Sequence, residues 1–448
     1  MKVAKFGGSS VASANQIKKI SNIIKNDSDR RIIVVSAPGK RFKNDIKMTD
    51  LLIQLGDLAL AKQSYTEKLT EIMTRFSEII EELGLSSHLT EEIEGTINSA
   101  LISSESDEMK MDALKSIGED SSAKIVSEYL TQSGLNAQYL NPREAGIIVS
   151  DDPGQAQILQ ESFTELYKLR KKDGVMVIPG FFGFSRKGHL VTFSRGGSDI
   201  TGSIVAAGVQ ADLYENFTDV DSVYAVNPTI VDNPQKITAL TYKEMRELSY
   251  AGFSVFHDEA LIPAFKQKIP VCIKNTNNPS AEGTMIVAEK EQQNNCVVGI
   301  ASDNGFSSLY VSKYLMNREL GFGRKLLQIL EDESISFEHA PSGIDDMSVI
   351  IRDSQLTPHK KEMITERINN ELNPEMITFH HNLAMIMIVG EGLMSTMGIA
   401  RTATTALTDA DVNIEMINQG SSDVSMMFGI QAEGLNRAIR SLYNAFFN

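Results

Sequence analysis

The order of apolar and polar positions divides the chain into a long first part and a shorter second part. Over roughly the first 280 residues, apolar runs of strand length alternate with segments whose apolar residues recur at helical spacing. Strands separated by helices predict one large α/β domain with a mainly parallel sheet. Strands are predicted at Val3–Phe6, Arg31–Pro38, Val175–Gly180, His189–Phe193, Ala211–Glu215 and Ile269–Asn275, and helices at Met48–Lys62, Thr66–Leu83 and Ser121–Gly134.

The second part of the chain repeats itself. The stretches that begin at Gly321 and at Gly398 lie 77 residues apart, and at this offset eight residues are identical without a gap. Each copy has the order strand, glycine turn, helix, strand, turn, strand, helix, which predicts two copies of a small α+β module. The polar stretch 277–295 predicts the boundary before them, so the expected domains are 1–290, 298–375 and 376–448.

Two glycine turns in the first part carry the candidate chemistry. The first follows the strand Val3–Phe6, where Lys5 precedes Gly7 and Gly8, and Ser9 stands where a helix is expected to begin. A glycine turn before a helix directs backbone N–H groups at one point, which suits an anion, and the lysine adds a positive charge. On this stretch alone, a tight turn with a surface lysine explains the pattern equally well.

The second turn has the same construction. Arg195 precedes Gly196 and Gly197, and Ser198 and Asp199 stand at the predicted start of a helix. Asp199 alone fits a plain capping role, but two such turns in one domain predict two anionic groups held close together. Neither turn matches the phosphate loop or the dinucleotide fingerprint. The pattern favours phosphoryl transfer, in which positioning and charge neutralisation provide the catalysis.

Composition limits the partners and the compartment. The chain has 43 basic and 58 acidic side chains and a net charge of −15, which argues against nonspecific binding to nucleic acid or to an anionic membrane. Its two cysteines, Cys272 and Cys296, predict neither a disulfide framework nor a zinc site. With no secretory signal and no apolar run long enough to span a bilayer, the expected location is the cytoplasm.

Together the motifs resemble one known family. The stretches KFGGSSV, SRGGSD, TDVDSVY and VCIKNTNNPSAEGT resemble, in order and spacing, signatures of the aspartate kinases of the amino-acid kinase superfamily, and the repeated module is similar to their paired ACT domains. The resemblance implies a three-layer α/β/α kinase domain with a mainly parallel sheet, followed by two α+β ACT domains of βαββαβ order. It also implies ATP and Mg²⁺ as cofactors and L-aspartate as substrate. The product would be 4-phospho-L-aspartate, the first intermediate toward lysine, threonine and methionine.

The resemblance also assigns roles to residues. Lys5 and Asp199 would be catalytic, with Lys5 neutralising charge on the transferring phosphoryl group and Asp199 orienting Lys5. A structural role stays open for Tyr224, which also fits a packed core aromatic, and for Glu119, which also fits an ordinary glutamate at a helix start. The residues expected to contact ATP are Lys5, Gly7, Gly8, Ser9, Thr218, Asp219 and Tyr224. The residues expected to contact aspartate are Thr49, Glu119, Phe181, Arg195, Gly196, Gly197 and Ser198.

The sequence departs from the family pattern at two positions near the nucleotide. Thr229 stands where the family often has an arginine, and Ser254 stands where it has a lysine that reaches the ATP phosphates. The loss of two cations should weaken nucleotide binding unless other side chains replace them. Lys266 and Lys268 are candidates for that replacement.

In the first ACT module the resemblance implies an effector site. Glu338 would hold the side-chain ammonium of lysine, which makes lysine the first candidate effector and threonine the second; a solvated strand residue is the alternative for Glu338. ACT pairing implies a homodimer or a higher homo-oligomer. Two other functions stay open, a different kinase of the superfamily and a non-catalytic amino-acid sensor. The expected effector residues are Met316, Gly321, Phe322, Phe337, Glu338 and Ser342.

Overall fold

The computed structural model describes residues 1–194, 196–253, 259–290, 296–393, 395–419 and 424–448. Its strands are β1 (Lys2–Phe6), β2 (Arg30–Val35), β3 (Ala137–Tyr139), β4 (Ile148–Val149), β5 (Val175–Pro179), β6 (Phe182–Ser185), β7 (Leu190–Thr192), β8 (Leu213–Thr218), β9 (Val223–Tyr224), β10 (Lys236–Ile237), β11 (Ala239–Thr241), β12 (Val271–Asn275), β13 (Thr284–Val287), β14 (Gly299–Ser312), β15 (Asp346–Arg352), β16 (Met376–Val389), β17 (Ile414–Asn418) and β18 (Ser425–Gln431).

Its α-helices are α1 (Ala14–Lys25), α2 (Met48–Leu60), α3 (Thr66–Leu83), α4 (His88–Leu101), α5 (Asp107–Gln132), α6 (Pro142–Ala145), α7 (Glu161–Tyr167), α8 (Gly197–Gly208), α9 (Tyr242–Tyr250), α10 (Ile262–Lys266), α11 (Phe322–Asp332), α12 (Pro358–Leu372), α13 (Ile399–Asp409) and α14 (Leu435–Phe447). Short 3₁₀ helices occur at Gly8–Val11, Lys168–Lys171, Met316–Arg318, Asp353–Gln355 and Ala432–Gly434. None of the described helices is both long and apolar enough to cross a membrane.

The chain forms two compact units. The first contains Met1–Val223, Lys236–Arg246 and Ser254–Glu291, and the second contains the rest, with Gln292–Asn448 as its main part. The predicted kinase domain, 1–290, therefore contributes the short segments Tyr224–Gln235 and Glu247–Phe253 to the second unit.

The first unit is built on an eight-stranded sheet in the order β11-β13-β12-β8-β1-β2-β5-β3. Every neighbouring pair is parallel except β12 with β13, which confirms the mainly parallel sheet. Along β1, Ala4 and Phe6 pack into the core formed with α1 to α5, whereas Lys5 faces α8 on the opposite side. Helices on both faces make the three layers that the family resemblance implies.

Three details of the first unit differ from the prediction. A 3₁₀ helix, Gly8–Val11, separates the first glycine turn from α1, which begins only at Ala14. Helix α5 begins at Asp107 rather than at Ser121, so Glu119 lies inside a helix and not at its start. The polar stretch 277–295 contains strand β13 of the main sheet, so it is not simply a linker.

The second unit contains a five-stranded antiparallel sheet in the order β15-β14-β16-β18-β17. Helices α11 and α13 each have 11 residues and begin after a glycine in the left-handed region, Gly321 at φ 81° and Gly398 at φ 95°. These equivalent caps confirm the internal repeat, because left-handed φ favours glycine. In the first copy, isolated bridges at His339 and Ser342 take the place of the expected middle strand.

The two copies share their longest strands. Residues 306–312 of β14 pair with 376–383 of β16, whereas residues 299–304 of β14 pair with 384–389 of β16. The second half of β16 also pairs with β18. The start of β14 therefore completes the sheet around the second copy, and the division of this unit at residues 375 and 376 stays a prediction.

A buried ion pair joins β2 to β8 in the first unit. The Nε of Arg30 lies 2.6 Å from Oε2 of Glu215, and its Nη2 lies 2.9 Å from Oε1. The Glu215 side chain is only 4% exposed, and the Arg30 guanidinium also donates to the carbonyl of Ile23. The bidentate geometry satisfies both carboxylate oxygens in a site that water barely reaches.

We expect Arg30→Ala to lower the free energy of unfolding by about 3–5 kcal/mol, because it leaves the Glu215 carboxylate buried without its partner. Urea unfolding followed by circular dichroism measures this as a lower midpoint at unchanged slope. Arg186→Ala is the matched control, because Arg186 pairs with Glu161 in solvent. Equal midpoints for the two variants would contradict the expectation.

Candidate active site

The two glycine turns are joined by an ion pair. Lys5 Nζ lies 2.7 Å from Oδ1 of Asp199, which stands in the first turn of α8. Lys5 is 6% exposed, so its charge is held away from bulk water. The predicted catalytic residues are thus in direct contact, although 194 positions separate them in the sequence.

A buried amide fixes the Asp199 carboxylate, and the sequence analysis did not identify it. Asn216 Nδ2 donates to the same Oδ1 of Asp199 at 2.6 Å, and the Tyr214 hydroxyl donates to the Asp199 carbonyl at 3.3 Å. Within the described residues, Oδ2 of Asp199 has no partner, and no group of three metal-ligating side chains occurs. The only sign of Asn216 in the sequence is that a polar residue stands in the middle of β8, a strand whose central residues are buried.

The first glycine turn leaves amides for an anion. Gly7 N–H donates to the carbonyl of Phe217 and Ser10 N–H to that of Gly7, whereas the amides of Gly8 and Ser9 meet no acceptor in the described part of the chain. A Cβ on Gly8 would lie 3.1 Å from the Ala37 carbonyl oxygen and 3.2 Å from the Cα of Gly39. The turn is therefore a cradle of backbone N–H groups in which a side chain at position 8 would be crowded by the neighbouring loop.

The second turn packs against the end of β5. Gly196 caps α8 with φ 69°, and a Cβ on Gly197 would lie 2.3 Å from the ring of Phe181. Phe181 itself has φ 77°, a conformation that costs a non-glycine residue free energy, and its N–H donates to the Thr201 hydroxyl. Ser198 is buried at this helix start, whereas Arg195 lies outside the described residues.

Glu119 is a buried carboxyl without a cationic partner among the described residues. It is 5% exposed, Ser198 Oγ lies 3.4 Å from its Oε1, and its Oε2 has no hydrogen-bond partner. Burial raises the pKa of Glu119 to about 8, although hydrogen bonds from the backbone and Ser198 and the charge of Lys5 act in the opposite direction. The helix-start alternative is wrong, because this carboxyl lies in mid-helix and faces the second turn. A buried carboxyl with an unpartnered oxygen and a raised pKa is suited to bind a cation, which would supply the missing partner.

The other residues predicted to contact ATP or aspartate have no described contact with Lys5, Asp199 or Glu119. Thr49 is the second residue of α2 and is half-buried. Thr218 is the last residue of β8 and Asp219 follows it, and the Asp219 N–H donates to the Thr218 hydroxyl at 2.6 Å. Tyr224 is half-buried in β9 and belongs to the second unit. Their roles toward a nucleotide or substrate stay predictions.

Of the two positions at which the resemblance leads one to expect a cation, Thr229 is described by the structure and Ser254 is not. The Thr229 hydroxyl donates to the side chain of Asn227, and Ser254 lies outside the described residues. Lys266 and Lys268 are exposed at the end of α10 and have no ion-pair partner in the described part of the chain.

The predicted effector residues lie in different environments and do not form one site. Met316 and Phe322 belong to the hydrophobic core between the sheet and α11, which is a structural role. Glu338 accepts a hydrogen bond from Arg352 Nε at 3.0 Å and another from the Tyr250 hydroxyl, so it is not a free solvated residue. Ser342 instead lines a cavity of about 440 Å³ together with Tyr310, His380 and Glu415.

The arrangement in the first unit is that of a site for phosphoryl transfer. Two glycine turns, an ion-paired lysine and a buried carboxyl meet near the ends of β1 and β8, the edge at which α/β proteins bind ligands. Positioning and fixed charge are what phosphoryl transfer requires of a protein.

Comparison with known proteins agrees with this class. The amino acid kinase family matches residues 1–275, and the ACT domain matches residues 386–446. Aspartokinase 3 of Bacillus subtilis is 53% identical over 448 residues, which are 100% of this chain and 99% of that protein. Two crystal structures each match over 100% of both chains. They are Clostridium acetobutylicum aspartate kinase (39% identity, TM-score 0.88) and E. coli aspartokinase III in complex with aspartate and ADP (25% identity, TM-score 0.80). The chain belongs to the amino acid kinase family and, within it, to the aspartokinases.

We expect the affinity for L-aspartate to rise with pH up to about 8. Below this value the Glu119 carboxyl is protonated in the free protein and offers no charge to an ammonium group. Each pH unit below the pKa should therefore weaken binding by about tenfold. Calorimetric titration with aspartate from pH 6 to pH 9 measures this dependence.

Glu119→Gln is the control, since its amide does not titrate. It should bind aspartate weakly and with no dependence on pH in this range. A wild-type dissociation constant that stays constant between pH 6 and pH 8 would contradict the role of Glu119.

Proposed function

We propose that the protein catalyses the MgATP-dependent phosphorylation of the side-chain carboxylate of L-aspartate, giving 4-phospho-L-aspartate. This reaction is the first step toward lysine, threonine and methionine, and the cytoplasm is its expected location. The observation that carries the proposal is the contact between Lys5 and Asp199, which holds the two glycine turns together. Membership of the aspartokinases supports the choice of substrate.

The reaction needs no general base. The aspartate carboxylate is already ionised, so its oxygen attacks the γ-phosphorus directly as the bond to the β-phosphate oxygen breaks and ADP leaves. The negative charge that spreads over the phosphoryl oxygens is the main barrier. In our proposal Lys5 neutralises this charge, and the amides of Gly8 and Ser9 donate to phosphate oxygens.

The Asp199 side chain fits a role beside a metal ion. Its Oδ1 accepts from Lys5 and from Asn216, which leaves Oδ2 for another cation. Mg²⁺ in kinases takes one or two carboxylates together with substrate phosphates, so a single available oxygen suffices. Bound there, Mg²⁺ would offset charge on the phosphates of ATP.

Recognition of aspartate requires charges of both signs. We assign the substrate ammonium to Glu119, which is buried beside Ser198 at the second glycine turn. Arg195, Ser198 and the amides of the second turn would hold the α-carboxylate. A site with a carboxyl at one end and an arginine at the other selects an α-amino acid over a simple diacid.

We expect Lys5→Ala to lower the rate of acyl-phosphate formation by about 10²–10³, because the variant loses the fixed charge at the transferring phosphoryl group. The product is trapped with hydroxylamine in the presence and absence of aspartate. Lys2→Ala is the matched control, because Lys2 lies on the same strand and pairs with Asp27.

The same assay tests the sensor alternative. A rate in Lys5→Ala that stays within about threefold of Lys2→Ala would contradict the role of Lys5. Folded wild-type protein that binds aspartate but forms no acyl phosphate would favour a non-catalytic sensor.

We further propose that the second unit provides feedback control by an amino acid, with lysine as the first candidate and threonine as the second. Glu338 holds Arg352 and Tyr250, and Arg352 also contacts Asp303 at 2.8 Å. A lysine ammonium that takes Glu338 would have to displace these partners. Its binding would favour a state in which Lys5 and Asp199 no longer align with the substrates. Pairing of these modules between subunits, in a homodimer or larger oligomer, belongs to the same proposal.

We expect Glu338→Gln to raise the lysine concentration needed for half-inhibition by about tenfold, since the variant loses a charged hydrogen-bond acceptor for the ammonium. Initial rates are measured with lysine and threonine, singly and together. Glu331→Gln is the matched control, because Glu331 is an exposed carboxylate on α11 of the same copy. Equal half-inhibition for both variants would contradict the role of Glu338, and no effect of either amino acid would contradict feedback control by them.

A further inference from the structure

The ion pair at the centre of the site leaves the triphosphate short of positive charge. Lys5 is the predicted phosphate-binding cation, yet Asp199 lies 2.7 Å away and neutralises it in the free protein. ATP carries about four negative charges on its phosphates, of which one Mg²⁺ offsets two. Thr229 brings no cation, and its hydroxyl is engaged by Asn227. A further cation is therefore expected close to the first glycine turn.

The segment between β2 and α2, residues 39–47, lies directly against that turn; we call it the basic loop. Gly39 N–H donates to the carbonyl of Gly8 at 2.8 Å. A Cβ on Gly39 would lie 2.6 Å from the carbonyl carbon of Gly8 and 2.8 Å from the nitrogen of Ser9. The two main chains thus touch without an intervening side chain. The residue after this contact is Lys40, so its backbone is held beside the turn.

A buried arginine fixes both ends of the basic loop. Arg75, 4% exposed, donates to the carbonyl oxygen of Gly39 at 2.8 Å and to that of Ile46 at 2.5 Å. It also lies 3.5 Å from Asp45, which accepts three hydrogen bonds from Arg41, one from its backbone N–H and two from its guanidinium. Burial alone would raise the pKa of Asp45, but the bonds from Arg41 and the charge of Arg75 lower it to about 2. The loop is therefore a fixed structure and not a loose connection.

The basic loop has an excess of positive charge. Asp45 is its one carboxylate, and Arg41 and Arg75 are both engaged with it. Lys40, Lys43 and Lys47 are exposed and have no ion-pair partner within the described residues. This local excess stands out in a chain with a net charge of −15. Unpaired lysines beside a cradle of backbone amides attract an anion electrostatically.

We propose that Lys40 contacts the triphosphate of the nucleotide bound at the first glycine turn and supplies the cation that Thr229 does not. The inference rests on the proposed function only in naming ATP as the ligand. It assigns the role to Lys40 because this lysine is next to the Gly39–Gly8 contact. A lysine suits the role, because its ammonium is a compact charge on a flexible stem that follows phosphate oxygens without a fixed geometry.

The test compares equilibrium binding of MgATP and of AMP to full-length wild type, Lys40→Ala, Lys40→Arg and Lys25→Ala. Lys25 is an exposed lysine at the end of α1, so Lys25→Ala removes the same charge elsewhere on the first unit. We expect Lys40→Ala to weaken MgATP binding by about tenfold, the usual effect of losing one charged hydrogen bond, and to change AMP binding by less than about twofold. Lys40→Arg should stay within about threefold of wild type.

Inorganic tripolyphosphate serves as a second probe, because it carries the charge without the nucleoside. It should compete with MgATP about tenfold less well in Lys40→Ala than in Lys25→Ala. Equal MgATP affinity in these two variants would overturn the inference, as would an equal loss of AMP binding in Lys40→Ala. Because binding is measured without turnover, the result stands even if the wild type forms no acyl phosphate, an outcome that would overturn only the proposed function.

Discussion

The contact between Lys5 and Asp199 is the constraint on which the rest of the first unit depends. A lysine on the central strand of a buried sheet is tolerated only beside an opposite charge, because burying an unpaired charge costs several kcal/mol. Asp199 provides that charge from the first turn of α8, and Asn216 holds its carboxylate in place. Packing of α8 on the sheet therefore brings the two glycine turns together. The interaction that permits the fold also assembles the site.

The sequence predicts those parts of the site in which the local backbone conformation or a close backbone contact requires a particular residue type. The glycines of both turns fall in this class: Gly196 adopts φ 69°, and a Cβ on Gly8 would be crowded by the Ala37 carbonyl and by Gly39. The glycines that cap α11 and α13 mark the internal repeat in the sequence, because both adopt a left-handed backbone conformation. Asn216 and Gly39 were missed, because their roles arise from neighbours distant in sequence. The residue roles in binding stay predictions.

The limits of prediction for the fold also have physical causes. Helix α5 buries small polar residues such as Ser116, Ser121 and Ser122, so no apolar stripe marks where it begins. In the second unit the sequence repeat identifies two copies, but β14 and β16 pair across them along their whole lengths. A boundary drawn along the chain therefore does not separate two independent sheets. The two copies are instead joined by continuous strands of one sheet.

The free site holds few uncompensated charges among its described groups, because its buried ionisable side chains are either paired or neutral. Lys5 is paired with Asp199, and burial keeps Glu119 protonated below about pH 8. An unpaired charge at either position would destabilise the folded protein before any substrate arrived. In the proposed function these charges would become available when the substrates bind. The aspartate ammonium would favour the ionised form of Glu119, and the phosphoryl group would share the proton donors of Lys5. Binding energy would then act on the groups to which we assign the reaction, because each buried charge would meet an opposite charge only in the complex.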